Sequence, residues 1–267
     1  MQVASNIKQI HKRMWTIGDF SKIAPAYVIV SENLCEAAGL RAGQRVLDVA
    51  TGSGNTAIAA ARRWCAVTGV DFIPALLEKA ADRAASEGLE IDFRVADAEQ
   101  LPFANESFDI VLSTFGSMFA IDQERAAAEL LRVCKSGGRV CMANWAPEGF
   151  MSDVHQQISA YAPPPPGVRL PLLWGTELAL RQLFGDGITD LRIRRRSVAM
   201  RYLSPEHWLE QMRAYSGPMA LFFSVLPESQ QRSLARDLLD LAHKHNVSGD
   251  DSFYAPAEYL EVVALRR

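Results

Sequence analysis

Residues 46–55 constrain the fold more tightly than any other stretch: Val-Leu-Asp-Val-Ala-Thr-Gly-Ser-Gly-Asn. A short apolar run enters a glycine turn, and a helical pattern opens directly behind it. A run this apolar suits a strand covered on both faces, and a parallel sheet built from crossover helices provides that cover. Gly52 and Gly54 carry no Cβ where a ligand has to approach the backbone closely. The helix behind offers free N–H groups and the positive end of its dipole to anionic groups.

The same alternation runs on from residue 41 to 145. Strands are predicted at Arg45–Ala50, Ala66–Asp71, Ile91–Ala96, Phe108–Ser113 and Arg139–Asn144. Helices are predicted at Asn55–Arg63, Pro74–Glu87 and Asp122–Val133. Right-handed crossovers at this pitch make an α/β, Rossmann-like doubly wound sheet. Upstream, Val3, Ile7, Ile10 and Met14 fall at helical spacing until Gly18, and Tyr27, Val30 and Leu34 form a second stripe ending at Gly39. Downstream, Pro163 to Pro166 read as a stiff extended connector. Ile188–Leu203 reads as one long strand or two short ones, Pro205–Tyr215 and Glu228–His245 as helices, and Ser252–Leu265 as a closing strand.

Composition narrows the class. Lys and Arg total 28 against 31 Asp and Glu, a net charge of −3, which argues against a strongly basic nucleic-acid binder. No apolar run reaches the roughly 18–20 residues that span a bilayer, and no continuous apolar core marks a signal peptide near the start. Cys35, Cys65, Cys134 and Cys141 form no C-x-x-C pair, and the histidines are scattered, so neither a disulfide framework nor a metal site is expected. Buried, reduced thiols in a cytoplasmic protein are the expectation.

Two nucleotide-type readings compete for the glycine turn. Gly52-Ser-Gly54-Asn-Thr-Ala57 fits a dinucleotide fingerprint, with Asp71 near the expected place for a ribose-binding acid. Asp48 tells against a nicotinamide-dependent oxidoreductase. It lies inside the apolar strand, where an unpaired carboxylate is costly. A cofactor carrying an amine and a sulfonium has a use for it, directly or through water; bracing of the turn is the plain structural reading. Asp71 closes the second strand and suits two ribose hydroxyls, with Phe72 and Ile73 placed to flank a base. Asp97 closes the third and suits an adenine amino group, with the Ala98 N–H donating to the ring.

Residues 45–145 as a whole resemble the class I S-adenosylmethionine-dependent methyltransferases. They are most similar to the small-molecule branch that includes ubiquinone and menaquinone C-methyltransferases. The resemblance rests on VLDVATGSGN, VTGVD, DAEQLPF, FDIVLSTFGSMF and ELLRVCKSGGRV. It implies a seven-stranded sheet whose last strand, Ser252–Leu265, runs antiparallel beside Ile188–Leu203. It implies S-adenosylmethionine as cofactor and S-adenosylhomocysteine as product. The implied cofactor contacts are Asp48, Ala50, Thr51, Gly52, Gly54, Asp71, Phe72, Ile73, Asp97, Ala98, Glu99, Thr114 and Phe115, with Trp15 as a cap. Three departures stand out. Ala50 replaces the usual first glycine, and Thr51 replaces the usual cysteine or glycine before Gly52. The fourth strand ends in Ser-Thr-Phe-Gly-Ser-Met rather than the Asn/Asp-Pro-Pro-Tyr/Phe pattern of enzymes that methylate planar amino groups.

A single domain, 1–267, is expected, with a helical cover from 1–40, 146–187 and 204–247 over a 41–145 core, closed by strands at 188–203 and 252–265. The expected acceptor is a small molecule, aromatic or apolar. Neither nucleic acid nor a membrane span is expected, and a homodimer is an open possibility. His155 heads the candidates for a general base, with Tyr161, Trp174 and Glu177 in the same stretch as a candidate acceptor wall. The catalytic residue is otherwise open. Arg192, Arg194 and Arg196 are expected on one solvated strand face.

Overall fold

The structure is a computed structural model that describes residues 2–163 and 169–267. The connector expected at Pro163–Pro166 therefore lies, from Pro164 on, outside the described residues. The elements follow in order: α1 (Gln2–Ile17), two short 3-10 turns (Phe20–Lys22 and Ala24–Tyr27), α2 (Val28–Ala38), β1 (Arg45–Val49), α3 (Asn55–Ala61), β2 (Ala66–Asp71), α4 (Pro74–Ser86), β3 (Asp92–Val95) and β4 (Phe108–Thr114). The second half carries α5 (Gln123–Val133), β5 (Cys134–Trp145), α6 (Phe150–Tyr161), α7 (Glu177–Phe184), β6 (Ile188–Tyr202), α8 (Pro205–Tyr215), α9 (Gly217–Val225), α10 (Glu228–His245) and β7 (Phe253–Arg266).

Seven strands form one sheet in the order β3-β2-β1-β4-β5-β7-β6. β7 runs antiparallel between β5 and β6, so the closing strand is flanked on both sides. The order reverses between β1 and β4, which pair with each other in parallel. At such a switch point the connections leave toward opposite faces, and a crevice opens beyond the carboxyl ends of the strands.

Strand alternation sorts the core into two layers. Leu47, Val49, Val111, Val140 and Met142 pack on one face with Tyr27, Phe115 and Trp145. Val46, Ile110, Leu112 and Cys141 pack on the other with Leu34, Cys35, Ala57 and Ala60. All four cysteines are buried and free, and burial pushes Cys134 and Cys141 up to about 12, so they are inert packing groups. In β6, Arg192 and Arg194 are exposed, whereas Arg196 is partly buried and pairs with the buried Glu261 of β7 at 2.7 Å. Arg196 therefore departs from the expected solvated face, because an interior carboxylate needs a cation.

The chain leaves β1 through a tight turn. Ala50 and Gly52 both take left-handed backbone angles, φ +55° and +56°. An L side chain is strained there, by about 1–2 kcal/mol. The Ala50 methyl fits because residue 116 is glycine: a Cβ on Gly116 would stand 2.5 Å from the Ala50 Cβ. Ala50→Gly should therefore stabilise the protein by about 0.5–1 kcal/mol, the strain relieved less the added freedom of the unfolded chain. Thermal unfolding reads this as a rise of roughly 1–4 °C, and an unchanged or lower midpoint would contradict the strain.

Candidate functional site

The crevice at the switch point is a cavity of about 700 Å³, within the ~300–1,000 Å³ usual for small-molecule sites. The residues lining it run from Lys8 to Ile121. Its floor is the carboxyl edge of the sheet: Ala50 to Ser53 after β1, Asp71 to Ile73 after β2, Val95 to Glu99 after β3 and Thr114 to Ser117 after β4. Its roof comes from α1 and the turns behind it, through Lys8, His11, Trp15, Phe20 and Tyr27.

Asp71 is 6% exposed. Its Oδ2 accepts the Gly52 N–H and its Oδ1 the Ile73 N–H, both at 2.9 Å. Burial pushes its carboxyl up to about 6, against the pull of these backbone N–H groups. The Phe72 N–H also points at this carboxylate, which lines the cavity. The two bonds also tie the glycine turn to the end of β2.

Asp48 departs from its expected role. Strand alternation turns it, like Val46, toward α3 and away from the cavity, which it does not line. Its Oδ2 accepts the Thr51 hydroxyl at 2.5 Å and the Ala57 N–H at 3.0 Å. It thus braces the turn from beneath, while its Oδ1 is buried without a partner. Burial pushes this carboxyl up to about 7, with the bonds from Thr51 and Ala57 working against the rise and the nearby Asp71 adding to it.

At the far end, the Asp97 Oδ1 accepts the Glu99 N–H at 2.9 Å. Glu99 is buried and reaches forward, its Oε1 accepting the N–H groups of Ile121 and Asp122 at 2.8 and 3.0 Å. Lys8 of α1 joins both acids, standing 2.6 Å from Asp97 Oδ2 and 2.6 Å from Glu99 Oε2. Burial pulls the Lys8 ammonium down, but these two partners outweigh it and hold it above its ordinary value.

The other walls are aromatic and hydroxylic. Trp15 meets Phe119 edge-on at 5.1 Å and Phe20 at 6.2 Å. Phe20 stacks on Tyr27 at 6.3 Å, and Tyr27 meets both Phe115 and Trp145 edge-on. Ser31, Thr56 and Thr114 form a chain of hydroxyls, 2.9 Å and 2.8 Å apart. Beside the glycine turn, Asn55 donates to the Ala24 carbonyl at 2.7 Å, and its Oδ1 is buried with no partner.

Of the expected site residues, Ala50, Thr51, Gly52, Asp71, Phe72, Ile73, Asp97, Ala98, Glu99, Thr114, Phe115 and Trp15 line this one cavity. Gly54 does not; it caps α3 in a left-handed conformation, and a Cβ on it would press on Ala80 at 3.0 Å. His155 does not line the cavity; its ring stacks at 6.3 Å on the lining Phe119, its Nδ1 lies 2.7 Å from the Met151 carbonyl of its own helix, and burial lowers its basicity. Tyr161 donates to Asp237, Trp174 is buried against Phe184, and Glu177 pairs with Arg181 at the surface. The acceptor wall expected between 146 and 187 thus forms none of the lining. The histidine that does line the cavity is His11, less basic than usual because of burial. Phe20, of the Gly18-Asp19-Phe20 segment, and Tyr27 belong to the N-terminal cover that the family resemblance implies, whereas Lys8 and His11 are lining residues that the sequence reading does not single out. The signal available was the helical spacing of Lys8, His11 and Trp15, which places them on one face of α1.

Residues 47–142 match the family model described as a methyltransferase domain. A demethylmenaquinone methyltransferase from Thermus thermophilus is 38% identical over 142 residues, 48% of this chain and 64% of that protein. The chain belongs to the class I S-adenosylmethionine-dependent methyltransferases. An uncharacterised protein of Mycobacterium tuberculosis, Rv1403c, is 38% identical to this methyltransferase over 244 residues, covering 90% of this chain and 89% of its own. The crystal structure of the YcgJ protein of Bacillus subtilis shares the fold, with a TM-score of 0.62 at 21% identity over 89% of this chain and 98% of that one.

The buried carboxyl of Asp48 gives this methyltransferase a pH signature. A carboxyl whose value is raised on folding binds its proton more tightly in the folded state. Stability therefore falls as pH rises from the unfolded value near 3.8 through about 7. Asp48→Asn removes that loss. Urea unfolding at pH 5 and pH 8 should show the wild type losing more stability over the interval than the variant; equal losses would count against a charge buried at this position.

Proposed function

We propose that this chain transfers a methyl group to a small, flat, largely apolar acceptor, with S-adenosylmethionine held along the floor of the cavity. The carrying observation is that the glycine turn, Asp71 and Asp97–Ala98 converge on one cavity that an aromatic roof covers. When bound, S-adenosylmethionine supplies a methyl carbon made electrophilic by its sulfonium, and in-line attack by the acceptor leaves S-adenosylhomocysteine.

In this reading each residue has a task. Asp71, at the end of β2 in the cavity floor, takes the ribose hydroxyls. Asp97 takes the adenine amino group, the Ala98 N–H donates to the ring, and Phe72 and Ile73 flank it. Gly52 leaves room for the amino-acid end, and the buried Asn55 oxygen gains from the cofactor ammonium the donor it lacks. Asp48 takes no cofactor contact in this reading; it holds the turn in shape.

Trp15, Phe20, Tyr27 and Phe119 then form the acceptor side. Their faces suit a ring or an apolar chain and exclude water from the reacting centre. The acids that line the cavity, Asp71, Asp97 and Glu99, lie at the ends of β2 and β3 and not among these rings, which weighs against amine acceptors. Positioning two partners in line is itself a large part of such catalysis.

Titration calorimetry with S-adenosylhomocysteine tests the cofactor placement, with NAD as the comparison ligand. We expect saturable binding of S-adenosylhomocysteine and none of NAD. Asp71→Ala should weaken binding roughly 10- to 100-fold, the loss expected when hydrogen bonds to a charged group are removed. An Asp71→Ala variant that binds as well as the wild type would sink the ribose assignment.

A further inference from the structure

The roof of the cavity is attached unevenly. At its carboxyl end, α1 is wedged against α9. A Cβ on Gly18 would stand 2.5 Å from the Gly217 nitrogen, and a Cβ on Gly217 would stand 3.1 Å from the Trp15 Cα. Two backbones this close leave no room to slide, and the buried Met14 adds a packed side chain at the same end. Just beyond, Asp19 caps the 3-10 turn Phe20–Lys22 and pairs with Lys79 of α4 at 2.6 Å. That pair fixes Phe20 over the glycine turn, where its ring lies 3.6 Å from the place of a Gly52 Cβ.

The other end of α1 is held differently. On the stretch from Lys8 to Trp15, the outward Ile10 is 55% exposed, so no packed layer covers the helix there. Lys8 is tied to the sheet edge only through the carboxylates of Asp97 and Glu99. The Lys8 and Asp97 side chains are 43% and 41% exposed, whereas Glu99 is 7% exposed. One of the two ion pairs is thus open to solvent ions, and the other is anchored in the protein.

We propose that α1 is a hinged strap across the cofactor site, pivoting at Gly18–Gly217 and fastened by Lys8 to Asp97 and Glu99, and that unfastening Lys8 gates cofactor exchange. The proposal rests on the cofactor placement given above. Asp97 is the acid assigned to the adenine amino group, so the fastening sits directly over the adenine end. Glu99 carries the closure inward, because its other oxygen holds the Ile121 and Asp122 N–H groups at the opposite rim. Lys8 therefore couples the roof, the adenine acid and the rim through one ammonium. His11 and Lys12 are the other titratable groups of α1 along the cavity wall, and neither forms an ion pair with Asp97 or Glu99.

The test is the dissociation rate of S-adenosylhomocysteine, followed by stopped-flow tryptophan fluorescence. Trp15 lies in the cavity wall, and Trp15→Phe identifies its share of a signal that comes from 5 tryptophans. Lys8→Gln should speed dissociation roughly three- to tenfold, the size expected for two ion pairs that are partly screened. Lys8→Arg should restore a near wild-type rate. The wild-type rate should rise between about 0.02 and 0.5 M NaCl as screening loosens the fastening, and Lys8→Gln should lose most of that dependence. Arg181→Gln, which removes a surface pair with Glu177 far from the cavity lining, should leave rate and salt dependence unchanged. A Lys8→Gln variant with the wild-type rate and the wild-type salt dependence overturns the strap. A wild-type chain that does not bind S-adenosylhomocysteine overturns the cofactor placement itself, and the strap with it.

Discussion

The structure depends on how the chain leaves β1. A buried strand ends there, and its successor helix must start within a few residues while several backbone N–H groups point at a cavity. Such a turn has no ladder of its own to hold it. Asp48 supplies the missing acceptor from beneath, through Thr51 and Ala57, and Asp71 supplies it from the side, through Gly52 and Ile73. Both carboxylates are costly to bury, and each is retained where its bonds shape the turn. The reversal of strand order between β1 and β4 then decides that this turn opens onto a crevice rather than onto a packed layer.

The division of labour that follows is uneven along the chain. The floor of the cavity is set by strand ends, so its residues are fixed in space by a sheet that cannot flex much. The roof is a single helix and two short turns, tied down by a few charges and rings. Phe115 stacked on Trp145 at 3.8 Å, with Tyr27 edge-on to both, joins roof and floor at the β4 side. Lys8 joins them at the β3 side. A site built this way keeps the ligand-facing floor rigid and leaves any opening motion to the least packed element.

Much of this was legible in the sequence because the signals were local. Short apolar runs ending on Asp71 and beside Asp97, and a glycine turn after Asp48, depend only on neighbours in the chain. They placed the strands of the core and the acids that line the cavity. Asp48 was legible as an anomaly but not as a brace, since its direction depends on which face of β1 receives α3. The acceptor side was harder. The segment after β5 holds His155, Tyr161, Trp174 and Glu177, a suggestive set, yet α6 turns His155 onto its own backbone and hands Tyr161 to Asp237 of α10. Only tertiary packing decides which of two polar helices covers a cavity, and here α1 does so. The helices α7 and α9 are short and bury few residues each, so their periodicity never rises above that of the surrounding chain.

The C-terminal third still reaches the site, although none of its described residues lines the cavity. Its route is mechanical. β6 and β7 extend the sheet beyond β5, and α8 and α10 pack with α6 over them through Trp208, Phe253 and Phe150. That block carries α9, whose first residue, Gly217, abuts the backbone of α1 at Met14 and Trp15. A side chain larger than hydrogen at position 217 would displace the helix that carries Lys8, His11 and Trp15. The shape of the cavity is therefore jointly set by residues that line it and by a distant glycine that lets its roof come close. The C-terminal region thus bears on the shape of the cavity through α1 without lining it.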